Sequence, residues 1–245
     1  MIPDLKSVLA LLYVPLSYCF FYIFNKIVSS NTVPKSCTKP LTWANILTSF
    51  THSLITGSGG MLVLYLNPGS TSKFTYGTDV TGLSMYFSII TAGYFIYDLI
   101  DMVNDTNSKF DYSLFVHHAA CITCFSLSVI YPIYRIYAMG ALLHEVQSVF
   151  LHFRRLCNLA KVDRKSQLYQ TAKYLNFISF LIFRFLVNYI MLKETWLLGD
   201  TSFFKGGALV GAAVNVLFIL LNLDVFWKIL KSDFMASDKQ VKKWQ

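Results

Sequence analysis

The sequence predicts an all-α, multi-pass membrane protein with about seven transmembrane helices, and three observations carry that prediction. Only 14% of the 245 residues are charged, against about 25% in an average soluble domain. Hydrophobic residues make up 55%, and the mean hydropathy is +0.50. The apolar residues are gathered into runs of roughly 20, the length at which a helix crosses a bilayer. Such a chain forms one compact membrane domain with no room for a soluble catalytic one. It shows no internal repeat and no low-complexity tract.

The runs follow in order. The first, 8–25, resembles a signal peptide in that Val28 and Ser30 suit a cleavage site, but its positive charge follows it rather than precedes it, which favours a retained helix. The second, 44–66, holds His52 and the trio Gly57, Gly59 and Gly60, which suits close helix packing. The third, 83–102, ends on Asp98 and Asp101, and the fourth, 112–130, opens with His117 and His118. The fifth, 134–153, carries Arg135, His144, Glu145 and His152. A buried amphipathic helix is the alternative there, but the apolar stretches 138–143 and 146–151 favour a span. The sixth, 174–192, contains Arg184, and the seventh, 207–230, contains Asp224. Short connections rich in Pro, Gly, Asn and charge separate them, such as Asn31 to Pro40 and Asn67 to Gly77.

Charge sets the expected orientation. Of 21 Lys and Arg, Arg184 lies inside a span. Fifteen of the others fall on the side shared by the odd loops and the C-terminus, and five (Lys6, Lys73, Arg135, Lys193, Lys205) on the opposite side. Basic residues gather in cytoplasmic loops, so the N-terminus is expected in the lumen and the C-terminus in the cytosol. The net charge of +8 is then a topology signal that attracts anionic lipid. Scattered over helix ends, it predicts no nucleic-acid partner. Lys242 and Lys243 stand where a dilysine retrieval signal of the endoplasmic reticulum stands, which works only on a cytosolic tail. The sequon Asn104-Asp105-Thr106 is expected on the cytosolic side, hence unglycosylated. The five cysteines form no disulfide framework.

Titratable residues inside spans are costly and usually mark a site, a pore or a buried pair. Here three neighbouring runs bring Asp98 and Asp101, His117 and His118, and His144 and Glu145 to membrane depth. Asp98 and Asp101, three apart, share a helix face, whereas His117 and His118 diverge, so one of the pair points at a given target. In one reading a histidine is a general base or nucleophile, oriented by Asp98 or Glu145. In a second, His117, Cys121 and Cys124 supply metal ligands, although their spacing matches no zinc motif. In a third, the groups only tie helices together by hydrogen bonds, worth about 0.6 kcal/mol each in membranes. His52 and Ser148 are expected to line the same polar interior, and Glu145 or Asp224 is the expected partner of Arg184.

The motifs Trp43-Ala44-Asn45, Thr51-His52-Ser53, Gly93-Tyr94 through Asp98, Val116-His117-His118, Leu142 through Phe150, and Asp224-Val225-Phe226-Trp227 together resemble the TLC-domain family. That family includes ceramide synthases and TRAM proteins, and the chain looks most like the small members of the protein 4 type. The resemblance covers about 40–234. It implies a barrel of six helices around a central cavity, preceded by one extra helix (1–39) and followed by a basic tail (235–245). It also implies an endoplasmic-reticulum location and a part in lipid homeostasis, with membrane lipids as partners. As in ceramide synthases, His117 and His118 would be the catalytic pair, supported by Asp98 and Glu145, with acyl-CoA as co-substrate and no resident cofactor or metal. His52, Asp101, His144 and Ser148 would line the cavity. Ser148 stands where those enzymes carry a carboxylate, which counts against acyl transfer. A lipid transporter or cargo-binding protein is the further alternative.

Overall fold

A computed structural model describes residues 5–67, 82–105, 110–198 and 205–235, with side chains left out at 133, 195–198 and 205–211. The dilysine pair, Lys73, Thr106 of the sequon and the tail 236–245 lie outside the described residues. Among the described residues the chain is helical, without strands, and forms seven long helices.

Helix α1 spans Leu5–Asn31 and tightens for one turn at Leu11–Tyr13, just ahead of Pro15, whose missing N–H suits a helix start. Helix α2 (Pro40–Leu66) also opens on a proline. Helix α3 (Leu83–Asn104) starts after Gly82, whose φ of +69° falls in the left-handed region that glycine tolerates. Helix α4 (Tyr112–Ile130) is capped by Asp111, which accepts from the backbone N–H groups of Ser113 and Leu114 at 3.0 and 3.2 Å. The turn Pro132–Tyr134 leads into α5 (Arg135–Leu159). Helix α6 is capped by Ser166, runs Gln167–Phe180, loosens into a π-helical segment Leu181–Leu186 and continues as Val187–Leu198. Helix α7 (Lys205–Leu230) likewise ends in a π-helical segment, Lys231–Met235.

Five of these helices, α1, α3, α4, α6 and α7, are long and apolar enough to cross a membrane. Helices α2 and α5 have the length but carry more polar residues, as the runs 44–66 and 134–153 show. The reason is position. These two make the most extensive helix–helix contact in the molecule and are flanked by the others. Many of their polar residues are buried, although Ser58 and Arg155 are exposed, and α5 is an enclosed helix rather than an amphipathic one lying at a surface. The hydroxyls of Thr48, Ser49, Thr51 and Thr56 each return to the carbonyl four residues earlier, which satisfies them inside an apolar medium.

Glycine sets the spacing of the central pair. A Cβ on Gly57 would lie 2.9 Å from the Val146 backbone nitrogen, and one on Gly60 would lie 2.8 Å from Leu142 Cβ. Backbone thus meets side chain or backbone directly, as small residues allow in membranes. Helix α1 is fitted just as closely onto α3: a Cβ on Gly93 would sit 2.4 Å from Ser17 Cβ, and Ser17 donates to the Ile90 carbonyl at 2.9 Å. At one end of the bundle Arg135 joins α5 to Ser7 of α1 at 2.8 Å and to the Val129 carbonyl of α4 at 3.1 Å. At the other end Arg154 of α5 holds Ser232 and Asp233 of α7.

Candidate functional site

Helices α3 and α4 place Asp98 against His118, with Nε2 donating to Oδ2 at 2.9 Å. His118 is 3% exposed, and its other ring nitrogen, Nδ1, has no hydrogen-bond partner among the described residues. A carboxylate on one imidazole nitrogen fixes the tautomer, so in the neutral ring Nδ1 is the lone-pair position. Phe95 packs on the ring, with centroids 5.3 Å apart. The adjacent His117 turns elsewhere. It lies between Phe95 and Phe218, and its Nε2 meets Cys121 Sγ at 3.7 Å. The two neighbours therefore diverge, and His118 is the one that faces the carboxylate. Among the described residues no group of three His, Cys, Asp or Glu comes together as metal ligands.

Helices α2 and α5 build the second half. Ser53 donates to Glu145 Oε2 at 2.6 Å, and His52 Nδ1 stands 3.8 Å from the same oxygen. His52 is wholly buried and stacks on Tyr94 of α3 at 3.7 Å between centroids, with the rings 10° from parallel. Phe21 of α1 closes over both, edge-on to His52 at 5.7 Å and to Tyr94 at 5.1 Å. The sequence reading placed α1 outside the site; the structure makes it a wall of it. His144 is also buried, and its Nε2 has no hydrogen-bond partner among the described residues.

Two residues expected in the common interior make other contacts. Asp101, one turn beyond Asp98, accepts from Asn45 Nδ2 at 2.5 Å. Asn45 in turn accepts from Asn25 at 2.9 Å. Asp101 therefore ties α1, α2 and α3 together and takes no histidine, because its partner helix at that level is α2 rather than α4. Ser148 accepts from Arg184 at 2.8 Å.

Arg184 itself corrects an expectation. Neither Glu145 nor Asp224 pairs with it; Asp224 lies 2.7 Å from Lys228 instead. The guanidinium donates to Gln147 Oε1 at 3.1 Å, Asn222 Oδ1 at 3.0 Å and Ser148 Oγ at 2.8 Å. Gln147 is steadied by donating to Asn176 at 2.9 Å. These amides were missed as site residues. For Asn176 and Asn222 the available signal was their presence in otherwise apolar stretches of α6 and α7, where an amide has to find a partner.

Fold and site together define a multi-pass membrane protein with a polar, titratable interior. Residues 42–231 match the TLC domain family. The chain is 30% identical to TLC domain-containing protein 2 of Danio rerio over 223 residues, 90% of this chain and 89% of that one. It is 30% identical to TLC domain-containing protein 1 of Gallus gallus over 200 residues, 80% and 75% of the two chains. It is 29% identical to TLC domain-containing protein 1 of Homo sapiens over 198 residues, 78% and 75%. The chain belongs to the TLC domain family. The finer likeness to protein 4 is not confirmed, since these relatives carry the numbers 1 and 2.

Proposed function

We propose that this protein acts in lipid homeostasis in the endoplasmic-reticulum membrane, holding a lipid or acyl chain at the polar centre built on His118 and Asp98. Its N-terminus faces the lumen and its C-terminus the cytosol. The observation that carries the reading is the buried His118–Asp98 pair with Nδ1 of His118 unpartnered. A pair that served only to tie α3 to α4 would gain nothing from a second, unsatisfied nitrogen, whereas a head group could bond to it. His117, Glu145, His52 and His144 supply further polar surface around it.

The same nitrogen favours a second reading, amide formation from acyl-CoA. The amine of a lipid would attack the thioester carbonyl, forming C–N and breaking C–S. His118 Nδ1 would take the amine proton and pass it to the leaving thiolate, and Asp98 would stabilise the imidazolium. Ser148, occupied by Arg184, contributes no carboxylate to this scheme.

Purified wild type, His118→Ala and Asp98→Asn would be analysed by mass spectrometry for co-purifying lipid. Each would also be incubated with long-chain acyl-CoA and a panel of sphingoid and other amine lipids. Selective lipid retention by the wild type, lost in folded His118→Ala, supports the binding role. An amide product that depends on His118 establishes the transferase. Lipid at no more than the average of the extracted membrane, with no product, ends both. A glycan on Asn104 would reverse the orientation.

A further inference from the structure

Arg184 is the most unusual charge in the molecule. It is 8% exposed and lies on α6, with Gln147 and Ser148 near the middle of α5 and Asn222 near the middle of the last span. Charge at such depth is normally paired with charge or placed on a ligand path. Here no carboxylate among the described residues comes within 4.0 Å. Glu145 is within electrostatic reach but makes its contacts with Ser53 and His52 of α2. The three partners of the guanidinium are neutral acceptors, so they orient its fork of donors without cancelling its charge.

Two further observations point to an anion site. Asn222, 2% exposed, uses its oxygen on Arg184 and leaves its amide nitrogen without a partner among the described residues, beside the guanidinium. An unpartnered buried donor next to a cation whose direct partners are all neutral is a site built for acceptor oxygens. Arg184 also sits in the π-helical segment Leu181–Leu186, an irregularity frequent at functional sites. In that segment Leu181, Ile182 and Leu186 are exposed, the side that faces hydrocarbon in a bilayer. Arg184 itself turns inward from that face, toward α5 and α7.

We infer that Arg184 and Asn222, held by Gln147 and Ser148, form a binding site for the oxyanion of an acyl lipid, a carboxylate or a phosphate. The inference rests on the lipid-binding reading above and narrows the lipid to an anionic one. The guanidinium fork binds two oxygens of the head, the Asn222 amide takes a third contact, and the acyl chain runs out past the π-helical segment.

The test uses the full chain in neutral detergent, with binding read by native mass spectrometry and thermal shift. The probes are oleate, dioleoyl phosphatidic acid, dioleoylglycerol and inorganic phosphate. The wild type is expected to bind oleate or phosphatidic acid at least about tenfold more tightly than the uncharged diacylglycerol. Arg184→Gln removes that preference. Because Arg184→Gln also strips a buried cage, Asn222→Asp is the decisive variant. It places a carboxylate on the guanidinium, should fold as well as the wild type or better, and should bring anionic and neutral lipids within about twofold of each other. Wild-type binding blind to head-group charge overturns the inference, as does an anion preference that survives Asn222→Asp. Inorganic phosphate competing as well as phosphatidic acid overturns the lipid source. Failure of every lipid to bind overturns the lipid-binding reading itself, which separates the two.

Discussion

Two sides of α5 deal with buried charge in opposite ways. Toward α2, Glu145 meets Ser53 and stands beside His52, while His118 and Asp98 complete a neighbouring pair between α3 and α4. Each carboxylate there has a donor from a neighbouring helix, and aromatic rings from α1 and α3 close over His52. Toward α6 and α7, Arg184 is surrounded by amides and a hydroxyl that orient it but bring no charge of their own. The contrast separates carboxylates that meet imidazole and hydroxyl donors from a guanidinium whose direct partners are all neutral. The first leaves an imidazole nitrogen open to a ligand, and the second leaves a cation open to an anion.

The two sides can be pulled apart by substitution. The largest effect is expected from Gly57→Val. It forces side-chain atoms into the 2.9 Å approach to the Val146 backbone and should cost roughly 3 kcal/mol. Because Gly57 lies between α2 and α5, the Ser53–Glu145 contact should break first. Any preference for anionic lipid should survive in whatever fraction folds; its loss would show that the two sides are coupled. Next comes Gln147→Leu, which strips one acceptor from the guanidinium and one donor from Asn176. Thermal unfolding in detergent should show a loss of about 2–3 kcal/mol, since the abandoned donor belongs to a charged group. That loss should shrink when anionic lipid is present, and an equal loss with and without lipid would weaken the contrast. Asp98→Asn should cost less, about 1–2 kcal/mol, because it keeps a polar partner for His118 but removes the carboxylate. Proton and nitrogen NMR of the His118 ring should then report a changed tautomer.

The smallest expected effect is at the α4 cap, outside both sides. Asp111→Ala should cost about 1 kcal/mol. Burial pushes the Asp111 carboxyl up, but hydrogen bonds from Ser113 and Leu114, and the charge of Lys228, outweigh it and hold it below the usual carboxylate range. A carboxyl lowered on folding stabilises above its unfolded pKa and loses that contribution as pH falls through its folded one. The wild-type advantage over Asp111→Ala should therefore be full near pH 7 and fade in acid. An advantage independent of pH would point to packing instead.

Much of the architecture was legible in hydropathy alone. The fourth run coincides with α4, and the third ends within two residues of α3, since both are bounded by residues that cannot cross hydrocarbon. Helix α6 begins well before the apolar run at 174 because its start is set by the Ser166 cap, not by hydropathy. The histidines and carboxylates stood out because charge at membrane depth is rare. Their partners did not. Asp98 and Asp101 share a helix face, yet one meets α4 and the other α2, and nothing in a three-residue spacing reports which neighbour lies at which level. Arg184 was assigned a carboxylate on the expectation that charge finds charge. Its partners are amides and a hydroxyl, which carry no charge to draw attention.

The matched domain begins at residue 42, yet Phe21 lies wholly buried against His52 and Tyr94, and Gly93 leaves no room for α1 to slide. The stretch that similarity detects and the stretch that folds are thus not the same length. Cut at the domain boundary, the chain would lose a lining residue of its polar centre and open a seam to bilayer hydrocarbon beside His52. The first helix is the missing stave of the barrel, and an expression boundary or a chimera has to carry it along.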